Sequence, residues 1–256
     1  MLVDTHTHLY LQQFDPDRKE SVSRSIENGI TTLLLPSIDK SHYSLLMKCV
    51  KNYPDNCIPM LGIHPTSVKE NYLEEIDFIK KEIDQNKYCA IGECGLDYYW
   101  DKTYIKEQEI VLRDQIELAI QHKLPLVIHS RKSLQEIFNI LTDYKESYIK
   151  GVLHCFPGNV PEAKKAIELG FYLGIGGVIT YKNATMADVV KNISLDHILL
   201  ETDAPYLTPA PYRGKRNESA YISIIAEKVA EIKEISFEEV EKATTLNACK
   251  LFNLSL

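Results

Sequence analysis

An apolar run rich in β-formers recurs eight times along this chain, near residues 2–6, 30–36, 57–63, 88–93, 124–129, 149–154, 170–176 and 197–203. Segments with helical spacing separate the runs, most clearly at 103–122, where Ile105, Val111, Leu112, Ile116, Ala119 and Ile120 share a stripe. Strands that alternate with helices run parallel, because each helix carries the chain back across the sheet. Eight such units in 256 residues predict an α/β fold, the (β/α)8 TIM barrel of about 250 residues. One domain over 1–256 is expected, since no low-complexity stretch, repeat or Gly/Ser-rich linker marks a boundary.

The ends of the runs carry the chemistry. Leu2-Val3-Asp4-Thr5-His6-Thr7-His8 sets two imidazoles one residue apart, and a strand's period of two points both the same way. Later runs finish on Ile63-His64, Ile91-Gly92-Glu93, Leu126-Val127-Ile128-His129, Val152-Leu153-His154 and Leu199-Leu200-Glu201-Thr202-Asp203. The C-terminal strand ends of a barrel share one face, so five of the eight histidines (His6, His8, His64, His129, His154) should meet the carboxylates in one pocket. Burying that many ionisable groups without a cation would cost several kcal/mol each, which argues for bound metal. The alternation makes Glu93 and Asp203 candidate ligands, and the donors are too many for one tetrahedral ion with an open position. They divide between two ions, with Glu93 expected as the bridge. His42 at a helix start, His122 at the end of the long helix and His197 at the opposite rim are expected to be structural.

A net charge of −7 argues against a broad basic footprint on duplex nucleic acid but leaves room for a single strand entering a pocket. No apolar stretch nears the roughly 18 residues of a membrane span, and nothing resembling a signal peptide precedes the first strand. The six cysteines lack C-x-x-C spacing and sit mostly in apolar runs, so reduced thiols and a cytoplasmic location are expected. No obligate protein partner is indicated. Beyond the eighth run come a Pro-rich loop (204–211), a basic turn (212–216) and helical patterns at 218–233 and 236–250, the second opened by Ser236 with Glu239.

Seven ordered blocks give the chain a resemblance. They are Asp4-Thr5-His6-Thr7-His8, Gly62-Ile63-His64-Pro65, Gly92-Glu93-Cys94-Gly95-Leu96-Asp97-Tyr98, Ile128-His129-Ser130-Arg131, His154-Cys155-Phe156-Pro157-Gly158, Glu201-Thr202-Asp203-Ala204-Pro205 and Arg213-Gly214-Lys215-Arg216-Asn217-Glu218. Through them the chain resembles, from end to end, the TatD family of metal-dependent deoxyribonucleases, TIM-barrel members of a metal-dependent hydrolase superfamily. The resemblance implies one metal on His6, His8, Glu93 and Asp203 and a second on Glu93, His129 and His154. Pro157 and Ser219 depart from the family pattern, which bears on loop shape and substrate preference.

The function so implied is hydrolysis of DNA phosphodiester bonds by a water activated between two divalent ions (Mg, Mn or Zn). A 3′-to-5′ exonuclease acting on single strands or strand ends is expected. Asp203 would orient the water, and His64, which has no ligand role in the resemblance, is assigned to the scissile phosphate. Arg131 and the Arg213, Lys215, Arg216 turn are candidate phosphate contacts, while Tyr98, Tyr99, Trp100 and Tyr206 are candidates for base stacking. The alternative is an amidohydrolase-type enzyme that opens a small amide, lactone or ester on the same barrel. Many such enzymes bridge their metals with a carboxylated lysine on strand four, where this chain has Glu93. A catalytically idle binding module is disfavoured by the intact set of donors.

Overall fold

The computed structural model describes residues 1–147, 149–182 and 184–255. The eight apolar runs become parallel strands: β1 (Leu2–Asp4), β2 (Ile30–Leu35), β3 (Cys57–Pro59), β4 (Ile91–Asp97), β5 (Leu126–Arg131), β6 (Gly151–Leu153), β7 (Phe171–Ile175) and β8 (Ile198–Leu200). Strands β1 to β3 pair in order, as do β4 to β8. Single bridges close the circle at both seams, Thr7 with Ala204 and Leu61 with Ile91. At the first seam Thr5 N donates to the Leu200 carbonyl at 3.1 Å and His8 N to that of Ala204 at 2.7 Å. The result is the (β/α)8 barrel, in which closure leaves no free sheet edge.

The helices are α1 (Arg18–Glu27), α2 (Lys40–Asn52), α3 (Tyr72–Glu82), α4 (Ile105–His122), α5 (Leu134–Asp143), α6 (Val160–Glu168), α7 (Met186–Asn192), α8 (Ile222–Lys233) and α9 (Phe237–Phe252). Helix α4 buries Val111, Leu112, Ile116 and Ala119 of the expected stripe, with Ile105 and Ile120 half-buried at its ends. It stops at Lys123, whose φ of 55° is left-handed. Helix α9 opens with a capping box. Ser236 Oγ accepts from Glu239 N at 3.2 Å and Glu239 Oε2 accepts from Ser236 N at 2.9 Å, an arrangement worth about 1 kcal/mol.

Apolar side chains fill two layers. The larger packs strands against helices. The smaller gathers Val3, Leu34, Met60, Val127, Val152 and Leu199 with Ala248, Leu251 and Phe252 of α9. Six of these nine lie in or beside the strands, so this cluster fills the barrel and α9 covers one mouth. Truncating one such residue, as in Leu199→Ala, should cost ~2–5 kcal/mol.

Several strands are shorter than the apolar runs, because the chain leaves the ladder once its polar ends reach the open mouth. Strand β4 differs more, running to Asp97, where 88–93 was expected. The strand continues past Gly95 because that position allows close approach: Gly95 has φ 135°, and a Cβ on it would lie 2.1 Å from the His129 carbonyl oxygen. No helix among the described residues is long and apolar enough to cross a membrane. All six cysteines are unpaired, four of them buried.

Candidate metal centre

The period of two carries the inner apolar layer into the site. His129 follows Val127 and His154 follows Val152 two residues on, and Glu201 and Asp203 follow Leu199 two and four residues on. Glu93 enters differently. Gly92 pairs with Val127 and Cys94 with Ile128, which leaves Glu93 as the extra residue of a bulge, a device that re-aims a side chain. His6 and His8 stand just past β1, and His64 just past β3. Asp203 has a left-handed φ of 55°, held by a hydrogen bond from its N–H to the His6 carbonyl at 2.9 Å.

These residues converge. His6 Nε2 lies 3.1 Å from Glu93 Oε2 and 3.8 Å from Asp203 Oδ1. His8 Nε2 lies 3.6 and 3.5 Å from the same two oxygens. On the other side His129 Nδ1 and His64 Nε2 lie 3.0 and 3.4 Å from Glu93 Oε1. His154 stacks on His6 with ring centroids 3.6 Å apart and reaches Asp203 Oδ1 at 3.8 Å. All six expected metal donors and His64 thus occupy one cluster, and all but His6, which lies beneath, line a cavity of about 960 Å³.

Among the described residues, three sets of donors have ligand atoms within 4.8 Å of one another: His6, His8 and Asp203; His6, Glu93 and His154; and His64, Glu93 and His129. The first holds three of the four residues that the resemblance gives one ion, lacking Glu93, whereas the other two separate His154 from His129 and add His64. Both ring nitrogens of buried His6 lack a hydrogen-bond partner among the described residues, a state that a bound cation would relieve. Burial alone would raise the Glu93 and Asp203 carboxyls, yet the surrounding imidazoles hold both below the ordinary range. Burial likewise opposes charge on His154, but Glu201, Glu93 and Asp203 push it up to about 10. The cage stabilises positive charge, and its imidazole and carboxylate donors suit a divalent ion.

A surrounding set of residues was given no role of its own from sequence. Asp97 Oδ1 accepts from the Tyr99 and Trp100 N–H groups at 2.9 and 3.0 Å, while Oδ2 faces His129 Nε2 at 3.1 Å. Glu201 Oε1 stands 2.9 Å from His154 Nδ1 and accepts from Cys155 N at 2.5 Å; the first contact is ionic, without aligned hydrogen-bond geometry. Tyr10 contacts His8 Nδ1 at 3.1 Å. Asp4 faces Thr202, whose N–H and hydroxyl donate to it at 3.0 and 2.6 Å, and burial pushes its carboxyl up to about 7. Spacing signalled two of these: Glu201 precedes Asp203 by two residues and Asp97 follows Glu93 on one strand.

Candidate substrate residues divide. Arg131 lines the cavity, with its guanidinium 4.2 Å from the Tyr99 ring centroid and 4.9 Å from that of Trp100. Trp100 and Tyr206 are exposed on the cavity wall. Arg213 does not reach the cavity; it is exposed and stacks on Tyr181 at 4.4 Å. Arg216 is engaged elsewhere, pairing with Asp17 at 2.5 Å and lying over Phe14. Tyr98 donates to Glu109 at 2.8 Å. His42, expected to be structural, bonds Asp39 at 2.8 Å and also borders the cavity.

Comparison with known proteins places this geometry among relatives. The TatD related DNase family profile matches residues 3–253. The chain is 39% identical over its full length, and over that of the relative, to the uncharacterized metal-dependent hydrolase YabD of Bacillus subtilis. It is 29% identical to the 3′-5′ ssDNA/RNA exonuclease TatD of Erwinia tasmaniensis, covering 99% of this chain and 100% of the relative. The crystal structure of YjjV, a TatD homolog from Escherichia coli, superposes with a TM-score of 0.90 at 27% identity, over 99% of this chain and 98% of that one. With ordered donors at one barrel mouth and a family match across nearly its whole length, the chain belongs to the TatD-related family of metal-dependent hydrolases.

Proposed function

We propose that this chain is a cytoplasmic, single-domain nuclease that removes nucleotides from the 3′ end of single-stranded DNA by metal-assisted hydrolysis. The observation that carries the reading is the meeting of Glu93, Asp203 and four histidines at the floor of a cavity whose wall bears Arg131 and the exposed Trp100. The 3′-5′ exonuclease activity for which the Erwinia relative is named supports the polarity and extends the candidate substrates to RNA. One ion would be held by His6, His8, Glu93 and Asp203, the other by Glu93, His129 and His154. Bound there, two divalent ions supply an acidified water and neutralise charge on a phosphate.

The protein's own groups do the rest. Asp203, with Oδ1 at the centre of the cluster, accepts the proton of the attacking water. His64 offers its Nε2 to a phosphate oxygen, Arg131 offers a planar guanidinium, and Trp100 and Tyr206 offer faces for bases. The acidic net charge suits a strand end entering a pocket better than a duplex lying across a surface.

The test is cleavage of 5′-labelled DNA and RNA oligomers by metal-stripped protein resupplied with magnesium, manganese or zinc, beside Glu93→Ala. A metal-dependent ladder of shortened products, absent in the variant, supports the reading. No cleavage by protein that holds its ions would favour the amidohydrolase-type alternative.

A further inference from the structure

Five histidines point into one cluster, and their outward contacts differ in kind. Tyr10 is buried, and its only hydroxyl hydrogen goes to the Pro36 carbonyl at 2.7 Å. Its oxygen therefore acts toward His8 Nδ1, 3.1 Å away, as an acceptor, and Nδ1 must carry the proton. A neutral His8 then has a bare lone pair on Nε2, the atom that faces Glu93 and Asp203. His64 is held in the opposite way. It caps the short turn Pro65–Ser67, where its Nδ1 accepts the Thr66 N–H at 3.1 Å and so meets the Thr66 hydroxyl, 2.6 Å away, as an acceptor as well. A backbone N–H only donates, so Nδ1 is bare and the Nε2 facing Glu93 carries the hydrogen.

We infer that Tyr10 and the Thr66 amide impose opposite tautomers on His8 and His64, making His8 a metal ligand and His64 a hydrogen-bond donor to the substrate. The inference rests on the metal reading of the site and adds a sorting rule to it. Distance alone groups His64 with Glu93 and His129 as a possible ion site. The tautomer removes it from that set, because an N–H cannot coordinate. Tyr10 is then a positioning residue that acts through His8, as outer partners of ligating histidines commonly do.

The test uses full-length protein carrying 15N-labelled histidine, in which ring-nitrogen resonances separate protonated from bare nitrogens. Spectra of metal-free protein in mildly alkaline buffer should show His8 protonated at Nδ1 and His64 at Nε2. Tyr10→Phe should mix the His8 tautomers, leave His64 unchanged and weaken zinc binding about tenfold. His64→Ala should leave zinc affinity within about twofold, since it removes no ligand. The reverse tautomer at either residue, or a His64→Ala loss as large as that of Tyr10→Phe, overturns the inference. If Tyr10→Phe does not fold, the wild-type spectra and His64→Ala still decide. Wild-type protein that binds no zinc, manganese or magnesium would instead overturn the metal reading, while its spectra still judge the tautomers.

Discussion

Glu201 Oε1 stands 2.9 Å from His154 Nδ1 in a space that exists because residue 174 is glycine. A Cβ on Gly174 would lie 2.4 Å from Glu201 Oε2 and 2.8 Å from its carboxyl carbon. Strand β7, which carries none of the candidate ligands, therefore sets the position of one that follows β6. Gly174→Ala should displace Glu201 and weaken divalent-ion binding about tenfold, and Glu201→Gln should act in the same direction. The double variant should lose little more than either single one, since both act on one contact. Zinc titration of the three stripped proteins reads this, and additive losses would refute it.

His64 should matter to turnover. Its Nε2 lies 3.4 Å from Glu93 Oε1, at the cavity wall where a phosphate oxygen would sit. His64→Ala should lower kcat by about 100-fold, the typical cost of one lost donor to developing charge. Single-turnover cleavage with metal content measured in parallel checks this, and unchanged kcat would return His64 to a structural role.

Two arginines that look alike in sequence should behave differently. Arg131 lies on the cavity against Tyr99 and Trp100, so Arg131→Ala should weaken oligonucleotide binding and reduce its salt dependence. A short oligomer should also quench the exposed Trp100, the only tryptophan. Arg216→Ala should leave binding intact and lower stability, because its guanidinium holds Asp17 and the Gln13 carbonyl. Fluorescence titration and thermal unfolding separate the two.

Acid should release that same surface contact. Hydrogen bonds from Arg216 and then Arg24 hold the Asp17 carboxyl down to about 2, from an ordinary 3.8. A depressed folded-state value means that the stabilisation is fully present above about pH 4 and is lost as pH falls through about 2. Since Asp17 is about one-third exposed, screening limits the effect to about 1 kcal/mol or less. Asp17→Asn should therefore lower stability near neutrality and converge with the parent protein at the acid end. A constant difference across pH would contradict this.

Much of the fold and of the candidate cluster was legible because both follow from local periodicity. The eight apolar runs fixed strand number, and the polar residues ending them mark the open mouth. Glu93 was legible by identity but not by geometry, since a bulge against β5, and not simple alternation, aims it inward. Arg216 could not be separated from Arg131 by sequence, for its partner Asp17 lies 199 positions away. Tyr10 gave no signal, because its meaning depends on the Pro36 carbonyl just past the neighbouring strand β2. Where a contact is set by tertiary closure, residue spacing carries no information about it.

The central claim is that Glu93 is shared by two metal ions. Titration of stripped protein with manganese, followed by electron paramagnetic resonance, tests it most directly. The account predicts two equivalents bound and an exchange-coupled signal that Glu93→Ala abolishes. A single isolated manganese signal at saturation, unaltered in coupling by that substitution, would contradict it.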